Sequence, residues 1–488
     1  MSSPLLDLEP RLLWQHFDGI RQIPRPSKHE EKISEHVENW ASERGFEVRK
    51  DEAGSMVISV PATEGREIAE TIILQGHLDM VCEKNSDVDH DFMTQGIEVE
   101  VDDDWVRAKG TTLGADTGIG LAAAMAFAED PEVVHGPLEI LATVDEETGL
   151  TGAKMLDPSI LSGKILLNLD TEEDGAIYMG CAGGADTDAF MRASRRRGLL
   201  GSVPVKLAVR GLRGGHSGLN IIENRGNAIK LATRVIQAAL YAGIDVDVVS
   251  IDGGSKHNAI PRECFAVCRL DKGALDEFRG VAAACATDFH EEFDATDPDL
   301  EVVVEEMDDD EATRRVLNIH ARDRLLRLLD SLPHGVLSMS REVPGLVETS
   351  TNLAVVETQE DGLKFVTSHR SSVMPALFAV RRSVTSTFRQ AGASVSYDEH
   401  YPGWKPNPES PILKRTADVY ERVFGEQPEI KAIHAGLECG LLLEKVPGMD
   451  AVSIGPQIEG AHSPEECVQI SSVAKFYKHV AALLEDLA

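Results

Sequence analysis

Short runs of consecutive apolar residues alternate with amphipathic stretches in the first third of the chain. The runs lie at residues 71–74, 138–144 and 164–169, and each has the length of a single strand. Between the first two lies a stretch rich in small residues, 118–128, for which the pattern predicts a tightly packed helix. Strands that are apolar on both faces are typical of parallel sheets covered by helices. This part of the chain therefore predicts an α/β layer structure.

An amphipathic helix precedes these runs. Ser27 lies at a position typical of an N-cap, with Glu30 three residues later. Apolar residues then recur at helical spacing on one face: Ile33, Val37 and Trp40. The pattern next predicts a hairpin with strands at 46–49 and 56–60.

The pattern changes near residue 185 and returns near residue 401. The basic segment 195–198 is expected to be an exposed boundary. After it come alternating, half-buried strands and a helix, which together indicate α+β structure: 203–210, 227–242, 264–270, 300–305 and 363–367. The α/β pattern then resumes with a helix near 412–424, a strand at 451–454 and a terminal helix at 471–487. We therefore expect one mostly parallel α/β domain, 1–186 and 401–488, with helices on both faces, interrupted by an inserted α+β domain, 187–400.

Charge and cysteine content narrow the classes of partner and compartment. The 488 residues include 82 acidic and 48 basic side chains, a formal net charge of −34. Such a surface repels nucleic acids and anionic membranes, so we expect neither as a partner. Seven scattered cysteines without a CxxC pair, together with no secretory signal and no long apolar span, predict reduced thiols in a cytoplasmic protein.

The acidic excess is concentrated between residues 287 and 311. This stretch holds thirteen acidic side chains and no Lys or Arg. We expect it to be a solvated face around the strand near residue 300. The excess is larger than one binding site needs, and it predicts solubility or tolerance of salt.

Acids and histidines follow the apolar strands at the points where the strands end. In open α/β sheets these carboxyl ends form the ligand-binding edge. Several carboxylates brought to one edge carry uncompensated charge unless cations bind there. A mixed imidazole and carboxylate set suits Zn²⁺, Mn²⁺ or Co²⁺. The residues in question are His77, Asp79, Asp116, Asp145, Glu146, Glu147, Asp170 and His462.

The ordered set of motifs resembles the M20 metallopeptidases, and within them the cytosolic non-specific dipeptidases (aminoacyl-histidine dipeptidase, peptidase D type). The resemblance covers essentially the whole chain. The motifs that carry it are Gly76-His77-Leu78-Asp79-Met80, Thr112-Leu113-Gly114-Ala115-Asp116, Asp145-Glu146-Glu147-Thr148-Gly149, Leu169-Asp170, Gly214-Gly215-His216-Ser217-Gly218 and the late His462.

The resemblance implies two divalent metal ions, Zn²⁺ with Co²⁺ or Mn²⁺ as alternatives. Asp116 would bridge them. One metal would be completed by His77 and Asp170, and the other by Glu147 and His462. Two further residues would act in catalysis: Asp79 would orient His77, and Glu146 would be the general base toward a metal-bridging water.

Within the inserted domain, which resembles the family's lid, the resemblance implies four more roles. His216 would donate to the oxyanion, and Asn258 would bind substrate. Arg370 would pair with the terminal carboxylate of the substrate, and the Gly436 backbone would line the same pocket. About 210 residues is long for a single small lid, so we expect two similar α+β halves that let His216 and Arg370 act in cis. The assembly would be a monomer or a homodimer.

The expected activity is therefore metal-dependent hydrolysis of unblocked dipeptides with broad specificity, including Xaa-His dipeptides. Two alternatives keep the scaffold: an N-acyl amino acid amidohydrolase and a tripeptidase. A third alternative is a non-catalytic cation-binding protein. The presence of both Glu146 and Glu147 argues against this third alternative, because a metal needs only one of them.

Overall fold

A computed structural model describes residues 3–488. By their contacts the residues form two units, and each is described by itself. The first comprises Met1–Cys181, Trp404–Ala432 and Leu437–Ala488, and the second Ala182–Gly403 and Ile433–Gly436. Contacts do not test whether either part folds alone, so the boundaries expected from the sequence, at 187 and 400, stay a prediction.

Eleven α-helices lie within the described residues. In chain order, α1 to α11 are Arg11–Arg21, Glu31–Glu43, Ala115–Glu129, Thr151–Met155, Ala228–Tyr241, Leu275–Phe293, Ile319–Ser331, Met374–Gln390, Pro411–Phe424, Glu438–Lys445 and Ile470–Leu487. None of these described helices is both long and apolar enough to cross a bilayer.

Twenty-five β-strands accompany them within the same range. In chain order, β1 to β25 are Glu47–Lys50, Met56–Val60, Ile72–His77, Val99–Asp102, Trp105–Ala108, Leu138–Thr143, Ile165–Asn168, Ala176–Cys181, Gly183–Arg192, Arg195–Arg197, Ser202–Arg210, Gly215–His216, Asp247–Gly253, Ala259–Ile260, Cys264–Asp271, Glu301–Glu306, Arg315–Leu317, Gly335–Met339, Val347–Thr358, Gly362–Ser371, Ser394–Ser396, Glu429–Ile433, Asp450–Ser453, Ile458–Glu459 and Cys467–Gln469.

The first unit is built on an eight-stranded sheet with the order β1-β2-β6-β3-β7-β23-β8-β22. Its four central strands, β6, β3, β7 and β23, are parallel. The strands β1, β2 and β8 pair antiparallel at the flanks. The central strands are buried along most of their length, as parallel strands covered by helices must be. The expected fold class, α/β with a mostly parallel sheet, is confirmed.

Helix α3 packs unusually close to this sheet. Every residue from 115 to 127 is buried, and most are Gly or Ala. A Cβ added to Gly120 would lie 2.4 Å from the carbonyl oxygen of Leu169, and one added to Gly118 would lie 2.8 Å from Nη2 of Arg25. Only small residues allow this approach. The close packing brings the start of α3, with Asp116, to the carboxyl ends of the strands.

The second unit contains a nine-stranded antiparallel sheet. Its main path is β16-β11-β15-β13-β19-β20-β9-β21, and β18 pairs with β19. The sheet has two halves, β16-β11-β15-β13 and β19-β20-β9-β21. They meet where Gly253 of β13 lies opposite Val356 of β19. In each half the edge strand follows a long helix, α6 before β16 and α8 before β21. The two halves therefore repeat one arrangement, as expected from the length of the insertion.

Two local expectations were wrong. Helix α2 begins at Glu31 with Glu30 as its N-cap residue, whereas the hydroxyl of Ser27 donates to the Asp79 carboxylate at 2.7 Å. The segment 195–198 is not the exposed boundary expected, because Arg195 and Arg196 are half-buried and Arg195–Arg197 pairs with β17. In both places a polar side chain has a distant partner: Ser27 binds Asp79, and Arg196 forms an ion pair with Asp247.

We predict that a buried neutral histidine makes the protein acid-sensitive. His369 is fully buried between Thr351 and Thr187, with ring nitrogens 2.8 and 3.0 Å from their hydroxyls. Burial lowers the pKa of His369 to about 4. The unfolded chain takes up a proton near pH 6.5 that the folded chain resists, so stability is full above pH 6.5 and falls toward pH 4.

Denaturant unfolding at several pH values between 7 and 4.5 checks this. In His369→Gln the free energy of unfolding should depend less steeply on pH, and the slope should fall by about the contribution of one proton taken up on unfolding. Exposed His320 on α7 supplies the control replacement, His320→Gln, which should leave the slope unchanged. Equal slopes for the wild type and His369→Gln would contradict the prediction.

Candidate active site

Parallel pairing of strands gathers the donor residues of the first unit at one edge of the sheet. His77 is the last residue of β3 and lies opposite Thr143, the last residue of β6. Strand β7 ends at Asn168, two residues before Asp170. Glu146 and Glu147 lie in the turn beyond β6 and are therefore free of the alternation that would point them to opposite faces.

Asp116 lies at the centre of this group. Its Oδ1 is 3.1 Å from Nε2 of His77, and its Oδ2 is 3.1 Å from Nε2 of His462. Nε2 of His77 also lies 3.4 Å from Oδ1 of Asp170, and Nε2 of His462 lies 3.1 Å from Oε2 of Glu147. One carboxylate thus faces two separate sets of donors, each with one further acid and one imidazole.

Asp79 orders the turn that carries the two glutamates. Its carboxylate accepts hydrogen bonds from the backbone N–H groups of Glu146 at 3.0 Å and Glu147 at 3.2 Å, and from Ser27 Oγ. Nδ1 of His77 lies 3.1 Å from the backbone oxygen of Asp79 and 3.5 Å from its Oδ1. Burial opposes the charged form of Asp79, but its hydrogen bonds to His77 and Ser27 lower the pKa to about 2.

The donor atoms suit cations. The sets His77/Asp116/Asp170 and Asp116/Glu147/His462 each have ligand atoms within 4.8 Å of one another. Oε1 of Glu147 and Oδ1 of Asp170 are buried without a hydrogen-bond partner among the described residues, a costly state that a cation would relieve. Imidazole and carboxylate donors are those that Zn²⁺, Mn²⁺ and Co²⁺ accept.

The electrostatics of the cation-free site reflect the same crowding. Burial raises the pKa of Asp170 to about 7 and that of Glu146 well above its usual range. Hydrogen bonds to Asp116 and Glu147 raise the pKa of His462 to about 11. Protons thus partly neutralise the site in the absence of cations, and cation binding would displace them.

Two residues that the sequence reasoning missed fix the beginning of α3. The buried carboxylate of Glu466 accepts hydrogen bonds from the N–H groups of Leu113, Gly114 and Ala115 at 2.7 to 3.0 Å. The buried guanidinium of Arg25 donates to the carbonyl oxygens of Leu78, Asp79 and Gly114. A carboxylate at a helix start is a favourable arrangement. No spacing signal links Glu466 or Arg25 to Asp116.

A third missed residue, Glu438, lies at the start of α10 and is fully buried. Its Oε2 accepts from Gln75 Nε2 at 2.6 Å and Thr143 Oγ1 at 2.7 Å, and Asn168 Nδ2 donates to Gln75 Oε1. Gln75 lies two residues before His77, and Asn168 lies two residues before Asp170. This row of hydrogen-bonded side chains therefore crosses the strands just beneath the predicted metal ligands. Burial raises the pKa of Glu438 to about 7. The sequence resemblance implied a role for Gly436, two residues earlier, but none for Glu438.

Within the second unit, His216 and Arg370 lie together. Nη2 of Arg370 is 3.2 Å from Nε2 of His216. Nδ1 of His216 accepts from the N–H groups of Gly218 at 3.3 Å and Leu219 at 3.1 Å, which assigns the ring proton to Nε2. Burial and the nearby Arg370 lower the pKa of His216 to about 4. A neutral N–H and a guanidinium therefore lie side by side, as two donors to a shared oxygen would.

The remaining predicted residues of this unit flank that pair. Strands β12 and β14 place His216 opposite Ala259, and the backbone oxygen of Asn258 accepts from Ser217 at 2.8 Å. Gly436 lies against the ring of Tyr401, and a Cβ added to Gly436 would lie 2.9 Å from Cε2 of that ring. The structure thus brings seven predicted donors and acids together in the first unit, and groups His216, Asn258 and Arg370 in the second.

The chain belongs to peptidase family M20/M25/M40, whose model matches residues 73–486. It is 40% identical, over 99% of both chains, to the cytosol non-specific dipeptidase of Escherichia coli. The crystal structure of the aminoacylhistidine dipeptidase of Vibrio alginolyticus is 42% identical, with a TM-score of 0.90 over 99% of this chain and 98% of that one. Aminopeptidase PepT of Bacillus cereus, 17% identical with a TM-score of 0.59 over 98% of this chain and 99% of that one, shares the fold.

We predict that Glu466 is needed to hold the start of α3. Glu466→Gln keeps the shape but removes the charge, and it turns an N–H group toward backbone donors. The free energy of unfolding of the cation-free protein should fall by about 1–3 kcal/mol, and cation affinity should fall about tenfold or more. Denaturant unfolding and a chelator competition assay measure the two effects. The exposed neighbour provides the control, Glu465→Gln, and equal losses in both variants would refute the assignment.

Proposed function

We propose that this chain is a metal-dependent dipeptidase that hydrolyses unblocked dipeptides with broad specificity, including Xaa-His dipeptides. The observation that carries the proposal is the position of Asp116 between His77 and His462, with a further acid, Glu146, beside them. Relatives named as a cytosol non-specific dipeptidase and an aminoacylhistidine dipeptidase, each matched along almost its whole length, support the substrate class.

The donor set supports two divalent cations, both touching Asp116. His77 and Asp170 would complete one site, and Glu147 and His462 the other. We propose Zn²⁺ as the metal, with Co²⁺ and Mn²⁺ as alternatives. Bound cations would polarise the scissile carbonyl and lower the pKa of the attacking water.

Glu146 is proposed as the general base. Its carboxylate is not needed in either of the two sets around Asp116, yet it lies close to His77 and Glu147. A carboxylate in this position can accept the proton of the attacking water and return it to the leaving amine nitrogen. Asp79 supports this role, because its carboxylate holds the N–H groups of Glu146 and Glu147.

His216 and Arg370 are proposed to bind the charged oxygens of the substrate. With a pKa near 4 the His216 ring is neutral, and because Nδ1 accepts hydrogen bonds from the backbone, its one proton lies on Nε2, where it can be donated to an oxyanion. The Arg370 guanidinium is suited to a terminal carboxylate by its planar fork of donors. Asn258 and the Gly436 backbone are proposed to bind other polar groups of the substrate.

Two alternatives share the scaffold and differ in substrate. An N-acyl amino acid amidohydrolase would prefer blocked amines, and a tripeptidase would prefer longer peptides. A panel of Ala-His, Gly-Gly, an N-acetyl dipeptide and a tripeptide separates them from the proposal. A non-catalytic cation-binding protein would turn over none of these. We propose a cytoplasmic protein, monomeric or homodimeric, in keeping with the name of the E. coli relative and with seven free cysteines.

Cation content should depend on Asp116 more than on any other ligand. We expect two cations per chain in the wild type, about one in His462→Ala, and close to none in Asp116→Ala, because Asp116 serves both sites. Elemental analysis after dialysis measures this. His320→Ala on exposed α7 is the control and should keep both. An unchanged content in Asp116→Ala would reject the shared-ligand arrangement.

Glu146→Gln should separate binding from chemistry. Because only the proton acceptor is lost, kcat for Ala-His should fall by about 10²–10⁴-fold while cation content stays the same. The wild type should lose activity in EDTA and regain it with Zn²⁺, Mn²⁺ or Co²⁺. Exposed Glu132 offers the matched control, Glu132→Gln. Full activity of Glu146→Gln would exclude it as the base, and full activity after complete cation removal would exclude the mechanism.

A further inference from the structure

The side chain of Tyr401 lies in a slot between two glycines of the second unit. A Cβ added to Gly184 would lie 2.4 Å from Cε1, Cζ and Oη of Tyr401. A Cβ added to Gly436 would lie 2.9 Å from Cε2 and 3.3 Å from Cζ of the same ring. Real Cβ atoms do not approach other atoms so closely, so any larger residue at either position would displace the ring.

The slot is held in place by backbone hydrogen bonds. Gly184 and Tyr401 exchange two such bonds, 3.1 and 3.0 Å long. The N–H of Ala182 donates to the carbonyl oxygens of Ile433 and Ala435, which fixes the segment that carries Gly436. The ring position is therefore set by backbone pairing on both of its faces.

The phenol at the end of this slot meets Arg370. Gly184 of β9 lies directly opposite Arg370 of β20 in the sheet. Nη1 of Arg370 donates to the Tyr401 hydroxyl at 2.9 Å, while Nη2 lies beside His216. Arg370 is 6% exposed, and its Nε has no hydrogen-bond partner among the described residues. The Tyr401 hydroxyl thus accepts from one branch of a guanidinium that has few other anchors.

We propose that Tyr401 is a positioning residue that fixes the Arg370 guanidinium for the terminal carboxylate of the substrate, and that Gly184 and Gly436 are glycines because they form the slot for its ring. This rests on the proposed role of Arg370. It also adds to the proposed role of the Gly436 backbone a reason why this residue has no side chain, which is the space that the Tyr401 ring occupies. An oriented guanidinium binds a carboxylate through two parallel hydrogen bonds, and a rotated one does not.

Steady-state kinetics of Tyr401→Phe tests the proposal. The ring still fills the slot, but the acceptor for Arg370 is lost. KM for Ala-His should rise about tenfold or more with kcat nearly unchanged, the range expected for a lost hydrogen bond to a charged group. For the amide Ala-His-NH₂, which lacks the carboxylate, Tyr401→Phe and the wild type should have equal kcat/KM. Tyr397→Phe, an exposed tyrosine of the same segment that contacts Thr385, is the matched control.

A double-mutant cycle tests the slot. Gly436→Ala should raise KM for Ala-His in the wild type by pushing the ring aside, and should add little in a Tyr401→Ala background. Equal effects in both backgrounds would mean that Gly436 acts independently of Tyr401. If Tyr401→Ala does not fold, Gly436→Ala combined with Tyr401→Ser replaces it, and the Tyr401→Phe result decides by itself.

Arg370→Lys separates the proposed carboxylate-binding role of Arg370 from the positioning role of Tyr401. If Arg370→Lys leaves KM for Ala-His unchanged, the carboxylate role in the proposed function is wrong. If Arg370→Lys raises KM while Tyr401→Phe does not, Arg370 binds the carboxylate without help from Tyr401, and only the positioning role is overturned. An equal loss by Tyr401→Phe on Ala-His and Ala-His-NH₂ would also overturn it, since that is the signature of general damage to the fold.

Discussion

Both oxygens of Asp116 are engaged by imidazoles, one 3.1 Å from His77 and the other 3.1 Å from His462. The Asp116 carboxylate must therefore be held at the centre of a sheet edge that is crowded with other acids, and several elements of the first unit hold it there. The small residues of α3 let its start come close to the strands, while Arg25 and Glu466 hold the backbone on both sides. The cost of burying like charges makes cations the natural completion of the site.

The histidines of the two units have opposite electrostatic settings. His462 is surrounded by acids that raise its pKa to about 11 in the cation-free chain, which marks a position where a cation would replace the proton. His216 is buried next to Arg370, and its pKa falls to about 4, so it stays neutral with a proton on Nε2. The first setting suits a metal ligand and the second a hydrogen-bond donor. Neighbouring charge thus gives one residue type two opposite protonation states in the same chain.

The strands that end at the candidate site, helix α3 and the predicted donor residues could be found from the sequence. The apolar runs marked β3, β6 and β7, and the acids and histidines after them lie at one edge because parallel strands align their ends. The residues that support the site could not be found in this way. Glu466 lies about 350 residues from the N–H groups that it binds, and Tyr401 is 31 residues from Arg370. Ser27 has the spacing of an N-cap, yet its hydroxyl binds Asp79 because that buried carboxylate needed a donor.

Local pattern therefore determined which segments form strands and which chemical groups stand at their ends, because periodicity and strand termini depend on near neighbours along the chain. Tertiary structure alone decided what holds those groups in position. The Glu466 clamp on α3, the buried Glu438 chain beneath the strands and the glycine slot around Tyr401 all join segments that are distant in sequence. Such contacts satisfy buried polar groups and fill space between packed elements, and both requirements arise only once the chain has folded.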